Sequence, residues 1–108
     1  MSTTVLVDYL GRNVRLTTER RQHILKHHPE IAEWMDQIAN VVARPEQVIR
    51  SRFDPESELF YVWQTRTRVG PKYLCTVVVV RENDAFVLTA YLTDSVKKGQ
   101  VLWSRNDT

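Results

Sequence analysis

Two hydrophobic periods divide this chain. Between Leu16 and Arg44 apolar residues recur every three or four positions, whereas from Val48 onward they alternate every second position. The first helical stretch is TTERRQHILKHHP, Thr17 to Pro29. Thr17 or Thr18 can cap its N-terminus, and Pro29 marks its end and starts the next helix. On a wheel of about 100° per residue, Ile24 and Leu25 define the apolar stripe. Arg21 and His28 fall on that stripe, and His23, His27 and Arg20 line one flank. The second helix carries Ile31, Trp34, Met35, Ile38, Val41 and Val42 on one side and Glu33, Asp36, Gln37 and Asn40 on the other. Arg44-Pro45 ends it, because a residue preceding proline disfavours helical geometry.

Ahead of the helices, VLVDYL and VRLT flank a Gly-Arg-Asn turn and read as a hairpin. Behind them, VIRSRF, LFYVWQT, KYLCTVVVV, AFVLTAYLT and QVLWS read as strands, with turns at DPES, RTRVGP and ENDA. Connections this short imply an antiparallel meander. The pattern predicts one α+β domain over residues 1–108: an N-terminal hairpin and two helices packed on one face of a four- to five-stranded antiparallel sheet. Alternation puts Phe86, Leu88, Ala90 and Leu92 toward the helices. It leaves Arg50, Arg52, Tyr61, Thr89, Tyr91 and Tyr73 for the open face. Val48 shares a side with Arg50 and Arg52, and Ile49 shares one with Ser51 and Phe53.

Composition narrows the class. At 108 residues, 43% hydrophobic and 26% charged, the sequence suits one water-soluble core. No apolar run reaches membrane-spanning length, and the N-terminus lacks a signal-peptide pattern. A single cysteine excludes an intramolecular disulfide framework and fits a reducing cytoplasm. Cys75, inside LCTVVVV, reads as a core residue. The net charge of +2 is small, but its distribution is uneven. Residues 12 to 28 hold five Arg/Lys against one Glu, and Glu30, Glu33, Asp36 and Glu46 follow. Such asymmetry steers anionic ligands to one side of a molecule.

All three histidines lie within six residues of each other, beside Arg20, Arg21 and Lys26. Each basic residue, taken singly, is simply explained as a snorkelling side chain, and Thr and Tyr are favoured on any strand. The clustering asks for more, because ionisable groups on a buried stripe are expensive. His23 and His27 have metal-ligand spacing, yet no carboxylate or thiol nearby completes a set, so no metal and no cofactor is expected. Glycine loops for phosphate and a Gly-x-Ser-x-Gly elbow are absent. The remaining palette of His, Arg, Lys, Tyr and Thr suits acid–base chemistry on a phosphodiester. One imidazole takes a proton from a ribose 2′-hydroxyl, a second acid protonates the leaving 5′-oxygen, and a cation stabilises the phosphorane.

ERRQHILKHHPE, RPEQVIRSRFDP, LFYVW, VLTAY and VKKGQVLW, in this order from Leu16 to Trp103, resemble the phage-type branch of the barnase–EndoU–colicin–RelE-like nuclease superfamily. The resemblance implies a RelE/barnase-like fold and metal-independent RNA cleavage, often by a toxin or phage-encoded effector. Its helix motif falls on His23 and His28, with His27 a local extra. Its Arg-Ser pair falls on Arg50 and Ser51, its strand tyrosine on Tyr61, its Thr-Ala-Tyr on Thr89 to Tyr91, and its ending on Lys97, Lys98, Gly99 and Trp103. The expected catalytic set is His23, His28, Arg50, Thr89, Tyr91 and Lys97. Arg20, Arg21, His27, Ser51, Arg52, Tyr61 and Lys98 are expected to bind substrate. The expected function is an RNA endonuclease acting by 2′-hydroxyl transesterification, with RNA and an acidic antitoxin or immunity protein as partners. The competing class is a non-catalytic module that holds RNA or a protein on the same residues. One geometric condition attaches to the catalytic reading. The stripe histidines face the helix-covered side and the Arg/Tyr/Thr set the open side, so one site requires the histidines at the edge of the sheet.

Overall fold

The computed structural model describes residues 2–105, and Met1 and residues 106–108 lie outside it. Strands β1 (Thr3–Val7) and β2 (Asn13–Thr17) form the expected hairpin. Its turn is longer than Gly-Arg-Asn. The Asp8 Oδ1 accepts from the backbone N–H of Leu10 at 3.0 Å and of Arg12 at 2.8 Å, while Gly11 takes the left-handed φ of 82° that closes the loop. Helix α1 (Thr18–His27) follows β2 without a linker, capped by the Thr17 hydroxyl, which accepts from Arg20 N–H at 3.0 Å. Of its two stripe residues only Ile24 is buried; Leu25 is exposed.

The continuous second helix expected from Pro29 to Ala43 is divided. Pro29–Gln37 winds as a 3-10 helix and only α2 (Ile38–Ala43) is α-helical. Spacings of three and four serve both windings, so the apolar pattern alone could not separate them. Ile31, Ile38, Val41 and Val42 are nevertheless buried, with Trp34 and Met35 packed against them.

Strands β3 (Gln47–Arg50), β4 (Ser57–Gln64), β5 (Lys72–Arg81) and β6 (Asp84–Thr93) make the antiparallel meander. The sheet is larger than the four or five strands expected, and it is mixed. Seven strands run in the order β1-β2-β6-β5-β4-β3-β7, with β7 (Gln100–Ser104) antiparallel to β3 at the far edge instead of beside β6. The hairpin joins the same sheet through a parallel contact at Arg15 and Phe86. No helix among the described residues is long and apolar enough to cross a membrane.

The helices cover one face. Val14, Leu16, Ile24, Ile31, Val42, Val48, Phe60, Leu74, Val78, Val87 and Ala90 are all buried there. The face assignment for β6 needs correction. A bulge between Val77 and Val78 lets Val77 face Thr89 but Val78 face Val87, so Leu88 is the extra residue. Ala90 and Leu92 meet the helices as alternation required. Beyond the bulge the phase inverts: Val87 turns inward, and Leu88 packs on the opposite face.

A buried ion cluster ties the hairpin loop to the sheet. The Arg12 guanidinium contacts Asp8 Oδ2 at 2.7 Å and Glu58 Oε1 at 2.8 Å, with both carboxylates almost fully buried. Tyr9 beside it packs on Phe60 and Trp103. Replacing Arg12 by Ala strands two buried carboxylates. It should lower unfolding stability by about 3–5 kcal/mol, measured by urea denaturation, whereas Arg15→Ala on the exposed pair with Asp84 should shift the midpoint far less.

Candidate active site

The placement of β7 governs the second face. To pass from the end of β6 to the far side of β3, residues Asp94–Gly99 must cross β5, β4 and β3. Four strand spacings amount to ~19 Å, and a chain this long reaches about 24 Å when extended, so the crossing has little slack. Val96 packs against the cluster formed by Ile49, Leu59, Tyr61, Cys75 and Val77, and the Lys97 N–H donates to Tyr61 Oη at 3.1 Å. The face expected to lie open is therefore strapped. Tyr61 is completely buried beneath the strap.

Across that face Tyr61 on β4, Cys75 on β5 and Tyr91 on β6 stand directly opposite one another. Burial pushes the Cys75 thiol up to about 11, against the opposing influence of the two phenols beside it. Burial, and then the adjoining Cys75, also raises both tyrosines above their ordinary range. At neutral pH all three stay protonated. Tyr91 is thus a hydrogen-bond donor and not a base, and Cys75 is no nucleophile.

His28 reaches this row from the helix. Because Pro29 disfavours helical geometry at the preceding residue, α1 stops at His27 and His28 adopts φ −134° and ψ 69° as its C-cap. Its ring centroid lies 5.6 Å from that of Tyr91. Its Nδ1 is 3.5 Å from Glu30 Oε2. The Glu30 carboxylate thus stands on the Nδ1 side of the ring. Of the three histidines only His28 leaves the helix surface and reaches the sheet, at β6 beyond its pairing with β2, an interior strand and not the edge that the wheel required. Glu30 escaped the sequence reading, although its position two residues after His28 was the available signal.

His23 and His27 form an exposed stacked pair, centroids 4.2 Å apart, with His27 Nδ1 at 3.0 Å from the His23 carbonyl oxygen. No group of three or more metal-binding side chains occurs among the described residues. Arg20 lines a hollow of about 210 Å³ with Arg15, Thr17, Phe86 and Val87. Arg21 points away from the site, its guanidinium 3.4 Å from the Thr4 hydroxyl on β1.

Arg50 occupies a different place from the one expected. It stands opposite Glu58, on the side of Val48, so it shares the helix-covered face and not that of Tyr61 and Tyr91. Its Nη1 donates to Gln100 Oε1 at 3.3 Å. Ser51 shapes a loop, its hydroxyl accepting from the N–H groups of Phe53 and Asp54, both at 3.2 Å. Arg52, Lys97 and Lys98 line a second hollow of about 190 Å³ with Ser51, Phe53 and Leu59. None of these three cations has a carboxylate partner among the described residues. Thr89 stands one row from Tyr91, opposite Val77. The structure thus gathers His28, Tyr91 and Thr89 at one end of the face and Lys97, Lys98 and Arg52 at the other. No family model matches the chain, and no curated protein and no solved structure matches it.

Two outcomes follow from this geometry. A methyl group on Gly99 would fall well inside contact with the Arg50 carbonyl oxygen and 2.8 Å from Ile49 Cγ2. Gly99→Ala should therefore lift the strap and lower stability by about 1–3 kcal/mol, with Tyr61 becoming accessible to solvent, read by hydrogen exchange and tyrosine absorbance. Partial desolvation, then the charges of His27, Arg20, Lys26 and His28, hold the His23 imidazole below its ordinary value. A depressed histidine favours the fold while neutral, and that contribution is lost as pH falls through its folded pKa. An NMR titration should find His23 protonating below 6.5, and His27→Ala should move it upward.

Proposed function

We propose that the protein is an RNA endonuclease that cleaves by 2′-hydroxyl transesterification, with His28 as the proton-transfer group. The observation that carries this reading is the His28 ring held against Tyr91 on β6, with cations that lack a carboxylate partner at the other end of the same face. The resemblance of the ordered motifs to the phage-type nuclease branch supports it independently.

In this mechanism His28 Nε2 takes the proton from the attacking 2′-hydroxyl, with Glu30 orienting the ring through Nδ1. The 2′-oxygen displaces the 5′-oxygen at phosphorus, giving a 2′,3′-cyclic phosphate, and the leaving oxygen takes a proton from water, because His23 stands with His27 outside this row and is held below its ordinary range. The Tyr91 hydroxyl, kept protonated by burial, donates to a phosphate oxygen, with Thr89 one row away to position the substrate. Lys97, at the other end of the face, holds the neighbouring phosphate backbone, and Arg50 lies on the helix-covered face. The same exposed cations fit an acidic antitoxin that would cover the site.

His28→Ala should lower cleavage of a single-stranded RNA by roughly 10²–10⁴-fold in the presence of EDTA, with cyclic phosphate ends on the wild-type product. An unchanged rate in this variant removes His28 from the chemistry. Tight RNA binding by the wild type without cyclic phosphate ends would replace the enzyme by a binding module.

A further inference from the structure

Phe53 is the most exposed large apolar side chain among the described residues, at 93%. It does not hang on a slack loop. The connection between β3 and β4 is closed by the Ser51 N–H donating to the Ser57 carbonyl at 2.9 Å and the Ser57 N–H donating to the Asp54 carbonyl at 2.9 Å. The Ser51 hydroxyl accepts the Phe53 and Asp54 N–H groups, and Asp54 accepts from the Glu56 N–H and from the Ser57 hydroxyl at 2.7 Å. A turn so fully hydrogen-bonded fixes the backbone at Phe53 and leaves its ring open to water. Such exposure has no folding benefit, since burying the ring would be favourable.

Its surroundings indicate what the ring meets. Phe53 lines the hollow formed with Arg52, Leu59, Lys97 and Lys98, which combines an aromatic wall with unpaired cations. Cations for phosphate beside an aromatic face for a base are the two components of a single-strand nucleic-acid subsite. Leu59 stands in the same cross-strand row as Val77 and Thr89. The hollow is therefore two strand spacings across and one row along from Tyr91, about 12 Å from where His28 and Tyr91 meet. A single strand covers that distance in about two to three nucleotides.

We infer that Phe53, with Arg52, Lys97 and Lys98, forms a subsite that stacks an unpaired base of the RNA a few nucleotides from the scissile phosphate, so that the substrate is single-stranded or looped RNA and not duplex. The inference rests on the proposed nuclease reading for the direction of the strand, but its test is separate. A base already stacked within a duplex cannot lie on a ring at a loop tip, whereas an unpaired base can.

The experiment measures binding of the full chain to a non-cleavable 2′-O-methyl octanucleotide and to the duplex of the same sequence. Phe53→Ala should weaken single-strand binding by about 5- to 100-fold. Phe53→Trp should restore it, its added emission being quenched on binding. Binding to the duplex should be weaker for the wild type and insensitive to Phe53. An unaltered thermal midpoint in Phe53→Ala shows that the fold is intact. Equal single-strand binding by Phe53→Ala and wild type overturns the subsite, as does no binding by the wild type. A Phe53-dependent change in sedimentation without RNA also overturns it, in favour of contact with a second copy. The two proposals fail separately: Phe53-dependent binding without cleavage sinks the catalytic reading alone, and His28-dependent cleavage that ignores Phe53 sinks the subsite alone.

Discussion

The strap of residues 94–99 is the constraint on which the second face depends. Because β7 pairs with β3 and not with β6, six residues must cross three strands almost fully extended. Backbone laid across a sheet brings polar groups over an apolar surface, and those groups need partners. The Lys97 N–H finds one in the Tyr61 hydroxyl, and Val96 packs against the apolar cluster of this face. Gly99 then admits the chain against the Arg50 carbonyl before it turns into β7. The same path delivers Lys97 and Lys98 to the side of the face that Arg52 and Phe53 adjoin.

This arrangement gives the tyrosines different work. Tyr61, beneath the strap, is a structural anchor whose hydroxyl is already engaged. Tyr91, one strand spacing beyond Cys75, remains partly accessible and meets His28. Identical side chains in one row thus separate into support and site by what crosses above them.

Local pattern made much of this legible. The hairpin, the Thr17 cap, the meander from Val48 to Thr93 and the buried set of Ile31, Ile38, Val41 and Val42 all follow from period and turn chemistry. So does the break at Pro29, although its role in swinging His28 toward β6 needed coordinates. What periodicity cannot carry is pairing at a distance. Nothing in QVLWS specifies β3 over β6 as its neighbour, and nothing in VVVV announces a bulge opposite Leu88. One inserted residue inverts the phase of half a strand. Arg50 was misplaced because alternation shows only which residues share a side. Which side the helices cover depends on Phe60 and Glu58 across the ladder.

The seam between hairpin and meander differs from the other joins in the sheet. Only Arg15 and Phe86 pair across it, and the guanidiniums of Arg15 and Arg81 sit 5.6 Å and 5.5 Å from the Phe86 ring, with Arg15 also held by Asp84. Where the neighbouring strands are zipped by backbone amides, this boundary rests on the buried Val14 and Leu16 beneath and on solvent-accessible charge above, which dissolved ions weaken. α1 is the direct continuation of β2, so the helix bearing His28 is moored through that boundary as well as by Ile24. The imidazole is therefore aligned with the sheet by buried contacts on one side of this boundary, and dissolved ions reach only its charged, outward side.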